Sequence, residues 1–237
     1  MNMRSEQHEA LQSFEVEGLR VRAGLRVAST LLLAGAPIAL HYFVEVEGPG
    51  RLHLAVGGDR AKQRPAGFAF HATLAGSGTT LADPCAGVPD VGGPIGLVVV
   101  AADTPWRQSL LLNQFVALEN SRRSIANGEH DLLMLTCRRA LKLATSEDGA
   151  LDLTHATPLE LTLSFFLERD DAAVAATAAT LAQEVFDGPI ERREPALAEL
   201  FAMRDAARVQ IRALTQHPQA AVVERARQAL DALESVS

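Results

Sequence analysis

Through most of the first 170 residues the hydrophobic positions recur at every second residue, and beyond that point at every third or fourth. The first rhythm is that of strands with one buried face, the second that of amphipathic helices. Ile38, Leu40, Tyr42, Val44 and Val46 share one face, with His41, Glu45 and Glu47 on the other. Gly48-Pro49-Gly50 interrupts this run before Leu52, Leu54 and Val56 resume it. Residues 38–57 are therefore predicted as a β-hairpin whose turn uses glycine for positive φ. In that hairpin His41 and His53 lie on the polar faces of adjacent strands, near each other across the pair.

The same alternation predicts strands at Phe68 to Leu74, in the apolar run Leu97 to Ala101, and at Leu110, Leu112, Gln114, Val116 and Leu118. After Asn127-Gly128 it returns at Leu133, Leu135 and Cys137, whose phase places the thiol in the core. The clearest strand is the last, where Leu159, Leu161, Leu163, Phe165 and Leu167 alternate with Glu160, Thr162, Ser164 and Glu168. At the amino end, Ser5 to Ser13 is predicted as a short amphipathic helix capped by Ser5.

At Asp170-Asp171 the period changes. Residues 171–186 are rich in alanine, start with acidic residues and stop at Asp187-Gly188-Pro189, all of which predict a helix. Pro195 is expected at the first position of a second helix with Leu197, Leu200, Phe201, Ala207, Ile211 and Leu214 as its apolar stripe. His217-Pro218 ends it, and a third helix runs from Gln219 to Leu233.

The fold expected is α+β by segregation. Residues 14–169 form an antiparallel β-sandwich of roughly seven to nine strands, and 170–237 form a C-terminal three-helix segment. The strand-and-turn pattern resembles the immunoglobulin-like or Greek-key sandwich, with a closed barrel as its rival. Residues 195–234 resemble a single HEAT-like repeat unit in His217-Pro218, Val222, Ala226, Ala229-Leu230 and Leu233. Val223 departs from that pattern, where many such units carry arginine, and a plain amphipathic hairpin fits the same positions.

Composition narrows the classes of function. A net charge of −7 with acidic and basic residues interspersed gives no electrostatic footprint for nucleic acid. The first residues are polar, unlike an export signal, and Val27 to Leu40 is too short and too broken by Gly35 and Pro37 to span a bilayer. The chain thus reads as cytoplasmic, with no membrane association, and as bacterial from its scarcity of lysine. Cys85 and Cys137 match no metal or redox spacing and read as free thiols.

No cofactor or metal signature is present. The longest non-periodic stretch, Ala75 to Pro94, carries Asp83, Cys85 and Asp90, which together with Trp106 are the candidate binding residues. With Asp59, these carboxylates could supply oxygens for a hard cation, although the spacing of calcium loops is absent. Cys85, Asp83, His71 and Asp59 are the set from which a thiol- or carboxylate-dependent hydrolase would have to be built. Trp106, the only tryptophan, is either a plug at the sandwich end or a stacking platform, as in a lectin-like ligand-binding sandwich. The doublets Arg122-Arg123 and Arg138-Arg139 read as solvated faces. The leading expectation is a non-catalytic protein-interaction or assembly module using loop 75–94 and the helical tail. Its partner is expected to be a protein, its oligomeric state is left open, and the hydrolase and lectin-like readings are the alternatives.

Overall fold

A computed structural model describes residues 8–59, 61–62, 64–89, 91–152 and 156–234. Within them thirteen strands follow one another: β1 (His8–Val16), β2 (Leu19–Val27), β3 (Leu31–Leu33), β4 (Ala39–Glu47), β5 (Arg51–Asp59), β6 (Arg64–Pro65), β7 (Phe68–Leu74), β8 (Thr80–Leu81), β9 (Gly92–Ala101), β10 (Trp106–Leu111), β11 (His130–Leu141), β12 (Leu143–Ala144) and β13 (Thr157–Glu168). They pair into a sheet ordered β1-β2-β4-β10, a second ordered β3-β13-β11-β7-β8, and a third in which β5 is flanked by β12, β6 and β9. Every pairing is antiparallel except that of β3 with β13.

Alternation decides which side chains meet. Val21, Ala23, Leu25 and Val27 of β2, Leu40, Tyr42, Val44 and Val46 of β4, and Leu159 to Leu167 at odd positions of β13 are all buried in one apolar cluster, which Leu52 and Leu54 of β5 also enter. Removing each such leucine or valine from water contributes about 1.5–3 kcal/mol.

Several local expectations are corrected. β4 and β5 do not form a hairpin: β4 pairs with β2 and β10, whereas β5 pairs with β6, β9 and β12. The positive φ angles of Gly48 and Gly50, 85° and 150°, carry the chain from one sheet to another. Both strands still alternate because both face the same core. His41 consequently stands opposite Ser109 and Arg26, and His53 opposite Val99 and Ala144, so the two histidines are not partners.

The helix expected over 5–13 is strand from His8, since β2 offers a neighbouring edge and long-range pairing outweighs weak helix propensity; residues 5–7 lie outside those described. The strand expected through Leu118 ends at Leu111. Beyond it, two single 3₁₀ turns bury Leu112 and Leu118, and the buried Asn113 side chain donates to the Ala36 carbonyl at 3.0 Å and accepts from the Ile38 amide at 2.9 Å. Loop 75–94 is also shorter than expected, because Thr80–Leu81 and the residues from Gly92 onward pair as β8 and β9.

Six α-helices occur among the described residues: α1 (Ser121–Ser124), α2 (Glu147–Leu151), α3 (Asp171–Asp187), α4 (Ile190–Ala202), α5 (Arg208–Ala213) and α6 (Ala220–Glu234). The three-helix tail is therefore four helices. Asp170 caps α3 by accepting from the Ala173 amide at 2.9 Å, and Val174, Ala178, Leu181 and Val185 are its buried stripe. Gly188 lets the chain turn close to α3, because a β-carbon there would stand 2.4 Å from the Glu184 carbonyl oxygen. Pro189 then occupies the cap position of α4, so that helix begins five residues before Pro195, which falls inside it. The expected second helix breaks at Arg204, whose φ of 52° no helix continues through.

The helices have their own apolar cluster, from Val174 to Leu233. Polar contacts tie it to the sheets: Asp171 accepts from Arg122 at 2.7 Å and from Arg169 at 2.9 Å, and Arg204 pairs with Glu119 at 3.0 Å. No helix among the described residues is long and apolar enough to cross a membrane.

Candidate functional site

In β11, the positions Leu133, Leu135, Cys137, Arg139 and Leu141 point into the core. Arginine in that series is anomalous, since a strand that buries one face normally reserves it for apolar side chains. Arg139 is nonetheless only 8% exposed. Its neighbour Arg138 projects the other way, 71% exposed, and pairs with Glu160 at 2.7 Å. The doublet read as one solvated face is thus split between two faces by the strand's pleat.

Aromatic rings surround the Arg139 guanidinium carbon, which lies 4.1 Å from the ring centre of Phe68, 4.8 Å from that of Tyr42 and 4.9 Å from that of Trp106. Register explains the first contact, because Phe68 of β7 stands directly opposite Arg139 in the sheet. Tyr42 and Trp106 arrive from β4 and β10 of a different sheet, packed edge to face with centroids 5.8 Å apart. These are the chain's only tyrosine and only tryptophan. Ring faces attract a guanidinium, which offsets part of its desolvation.

They do not satisfy its hydrogen bonds. Nη1 of Arg139 and the Tyr42 hydroxyl beside it are buried without a well-aligned hydrogen bond, and the two groups act on each other's charge. No carboxylate among the described residues pairs with Arg139. Burial pulls its pKa below the ordinary arginine value, while burial raises that of Tyr42 far above the ordinary phenol value against the pull of the Arg139 charge. Cys137, two residues back on the same face, has its thiol pushed up to about 12 by the same burial.

Arg139 borders a cavity of about 730 Å³, with Gln12, Asp59, Arg64, Phe68 and Arg138 among the other lining residues. Such volumes are typical of small-molecule sites. Arg64 is committed elsewhere: it donates to both Asp83 oxygens at 2.8 and 2.7 Å and to the Gln114 carbonyl at 2.7 Å, and lies 4.6 Å above the Phe115 ring. Burial works against its charge, but Asp83 more than restores it and leaves its pKa raised. Burial likewise works against the Asp83 carboxylate, which Arg64 and the Cys85 amide together hold below the ordinary range. Asp59 accepts from the Ala61 and Lys62 amides at 3.0 and 3.1 Å, closing the turn after β5.

Of the residues singled out by sequence, Asp83 and Cys85 thus come together with Asp59 about Arg64, and with the Lys62 ammonium 3.9 Å from Asp59 the two cations balance the two carboxylates. Among the described residues, no group of three or more acidic, histidine or cysteine side chains could hold a metal ion. His71 is exposed on β7, where its ring meets Thr73 at 3.4 Å, and no hydrogen bond joins it to Cys85 or Asp83 among the described residues. Asp90 lies outside the described residues. Trp106 is half-buried and packs against the core, as the plug reading expected, but its ring also forms one wall of the Arg139 cage. Arg139 as a buried cation was missed, although its signal was present: it continues the phase of Leu133, Leu135 and Cys137.

No protein-family model matches the chain, and no curated protein matches it in sequence.

Proposed function

We propose that the protein is a non-catalytic ligand-binding module, and that its working part is the cavity bordered by Arg139, which receives an anionic group. The observation that carries this is a buried guanidinium with no carboxylate partner and an Nη1 without a well-aligned hydrogen bond. A buried charge without a counter-ion costs several kcal/mol, and each desolvated ring face returns about 2 kcal/mol of it, but the rings supply no hydrogen-bond acceptor in the plane of the guanidinium. A bound anion would supply the missing charge and acceptor. On this reading the sheets around the shared core make up an antiparallel sandwich, with the ligand at its open seam between β7, β11 and β13.

The test is a thermal-shift screen of small anions and their neutral isosteres, run on the full chain and on Arg139→Met. Anions should raise the melting temperature of the parent and leave the variant unmoved. Equal shifts for both proteins would show that Arg139 reads nothing.

A protein partner is a second reading. It is favoured by β9, whose only strand partner among the described residues is β5 and on which Ile95 and Val99 are exposed. An extended segment of another protein could add to that edge. An Ile95→Asp variant should then lose a partner captured by the parent, and unchanged capture would dismiss the idea.

A further inference from the structure

Resting on the reading that the Arg139 cavity takes an anion, we propose that its ligand is a monocarboxylate carried on an apolar body. The first ground is charge. Of the three arginines that border the cavity, Arg138 is paired with Glu160 and Arg64 with Asp83, while Arg139 has no carboxylate partner among the described residues. Asp59, the other carboxylate on the lining, is balanced by Lys62 at 3.9 Å, so one positive charge is left over. A single carboxylate neutralises it, whereas a phosphate monoester, carrying up to two negative charges at neutral pH, would leave excess negative charge beside three ring faces.

The second ground is shape. Rings close on the guanidinium carbon at 4.1, 4.8 and 4.9 Å, and Arg139 also borders the cavity. The fork of N–H donors on a guanidinium matches a planar carboxylate in a two-point contact. The third ground is the wall. Apart from the charged groups already named, the lining includes Pro65, Ala66, Ala69, Ala140, Pro158 and Leu159, which offer a ligand's remainder apolar contact. Burial of Arg139 also depresses its pKa, a penalty that an incoming carboxylate relieves.

Trp106 supplies the readout, because the only indole in the chain stands 4.9 Å from the charge that would be neutralised. Octanoate, octyl phosphate and octanol are titrated separately into the full chain at pH 8 while tryptophan emission is followed, with calorimetry as a check. Octanoate should saturate, and bind at least about tenfold more tightly than octyl phosphate or octanol. Arg139→Met should lose that preference and Arg212→Met, an exposed arginine that does not border the cavity, should keep it. If Arg139→Met fails to fold, Arg139→Lys, which keeps the charge and loses the fork, should weaken octanoate by roughly tenfold.

The ways of failing are distinct. Arg139-dependent binding of octyl phosphate as tight as octanoate would overturn the carboxylate assignment and leave the anion site standing. Octanol binding as tightly as octanoate, or no saturable response to either anion by emission or heat, would overturn both.

Discussion

The guanidinium carbon of Arg139 and the ring centre of Phe68 are 4.1 Å apart, and the two residues are direct cross-strand neighbours in β11 and β7. Sheet register holds these two backbones side by side, so this wall of the cage is set by a strand pair rather than by a loop. The buried charge is therefore preorganised, and the free protein bears its desolvation cost.

Stability should accordingly respond to Arg139 in an unusual direction. Replacing a buried, uncompensated charge by an apolar side chain of similar length is neutral to stabilising. Arg139→Met is expected to hold or raise the unfolding free energy by about 1–2 kcal/mol after the lost ring contacts are discounted. Urea denaturation monitored by circular dichroism measures it, and a loss above about 2 kcal/mol would make Arg139 a structural residue instead.

The two thiols should separate cleanly. Cys137 is fully buried with its pKa pushed up to about 12, whereas Cys85 is half-buried in the turn after Asp83. A thiolate-selective disulfide reagent at pH 8 should modify one thiol per folded chain and two per unfolded chain. Rapid modification of both in the native state would contradict the core placement of Cys137.

Acid should loosen the junction between sheets and helices. Hydrogen bonds from Arg169 and Arg122 hold the Asp171 carboxyl far below its ordinary value. Its folded pKa thus lies below the unfolded one. The contribution is complete above the ordinary aspartate range and is lost as pH falls toward the folded value. Asp171→Asn should therefore be less stable than the parent at pH 7, with the gap narrowing progressively as pH falls below about 4. A gap independent of pH would assign the effect to something other than this charge.

Arg204 and Glu119 form a second tie, across which a double-mutant cycle is informative. Burial raises the Glu119 pKa above the ordinary value, its own backbone amide and Arg204 oppose that, and its Oε2 has no partner. Removing the cation leaves a mostly buried carboxylate alone, so Arg204→Ala should cost on the order of 2–3 kcal/mol. Adding Glu119→Gln should recover most of that loss. Strict additivity of the two changes would remove the ion pair from the account.

Loss of the cap of α3 gives a simpler check on the helical segment. Asp170→Ala removes the acceptor for the Ala173 amide, and should cost about 0.5–2 kcal/mol in chemical denaturation. No loss would mean that the first turn of α3 is held by Asp171 and its arginines alone.

The change of period near Asp170, the phase of β4, β5, β7, β11 and β13 and the position of Cys137 in the core follow from the sequence by itself, because side-chain direction along a strand or helix is a local property of the backbone. Partner strands were not legible. Gly48-Pro49-Gly50 reads equally well as a hairpin turn or as a crossing between sheets, and only the shared core decides for the crossing. The break at Arg204 was equally hidden, since an apolar stripe continues on both sides of it. Arg139 combines the two cases: its inward phase was written in the chain, but whether an acid met it there depended on residues from four other strands. Burial of a charge is a property of the assembled neighbourhood, and no local pattern encodes whether that neighbourhood supplies its counter-charge.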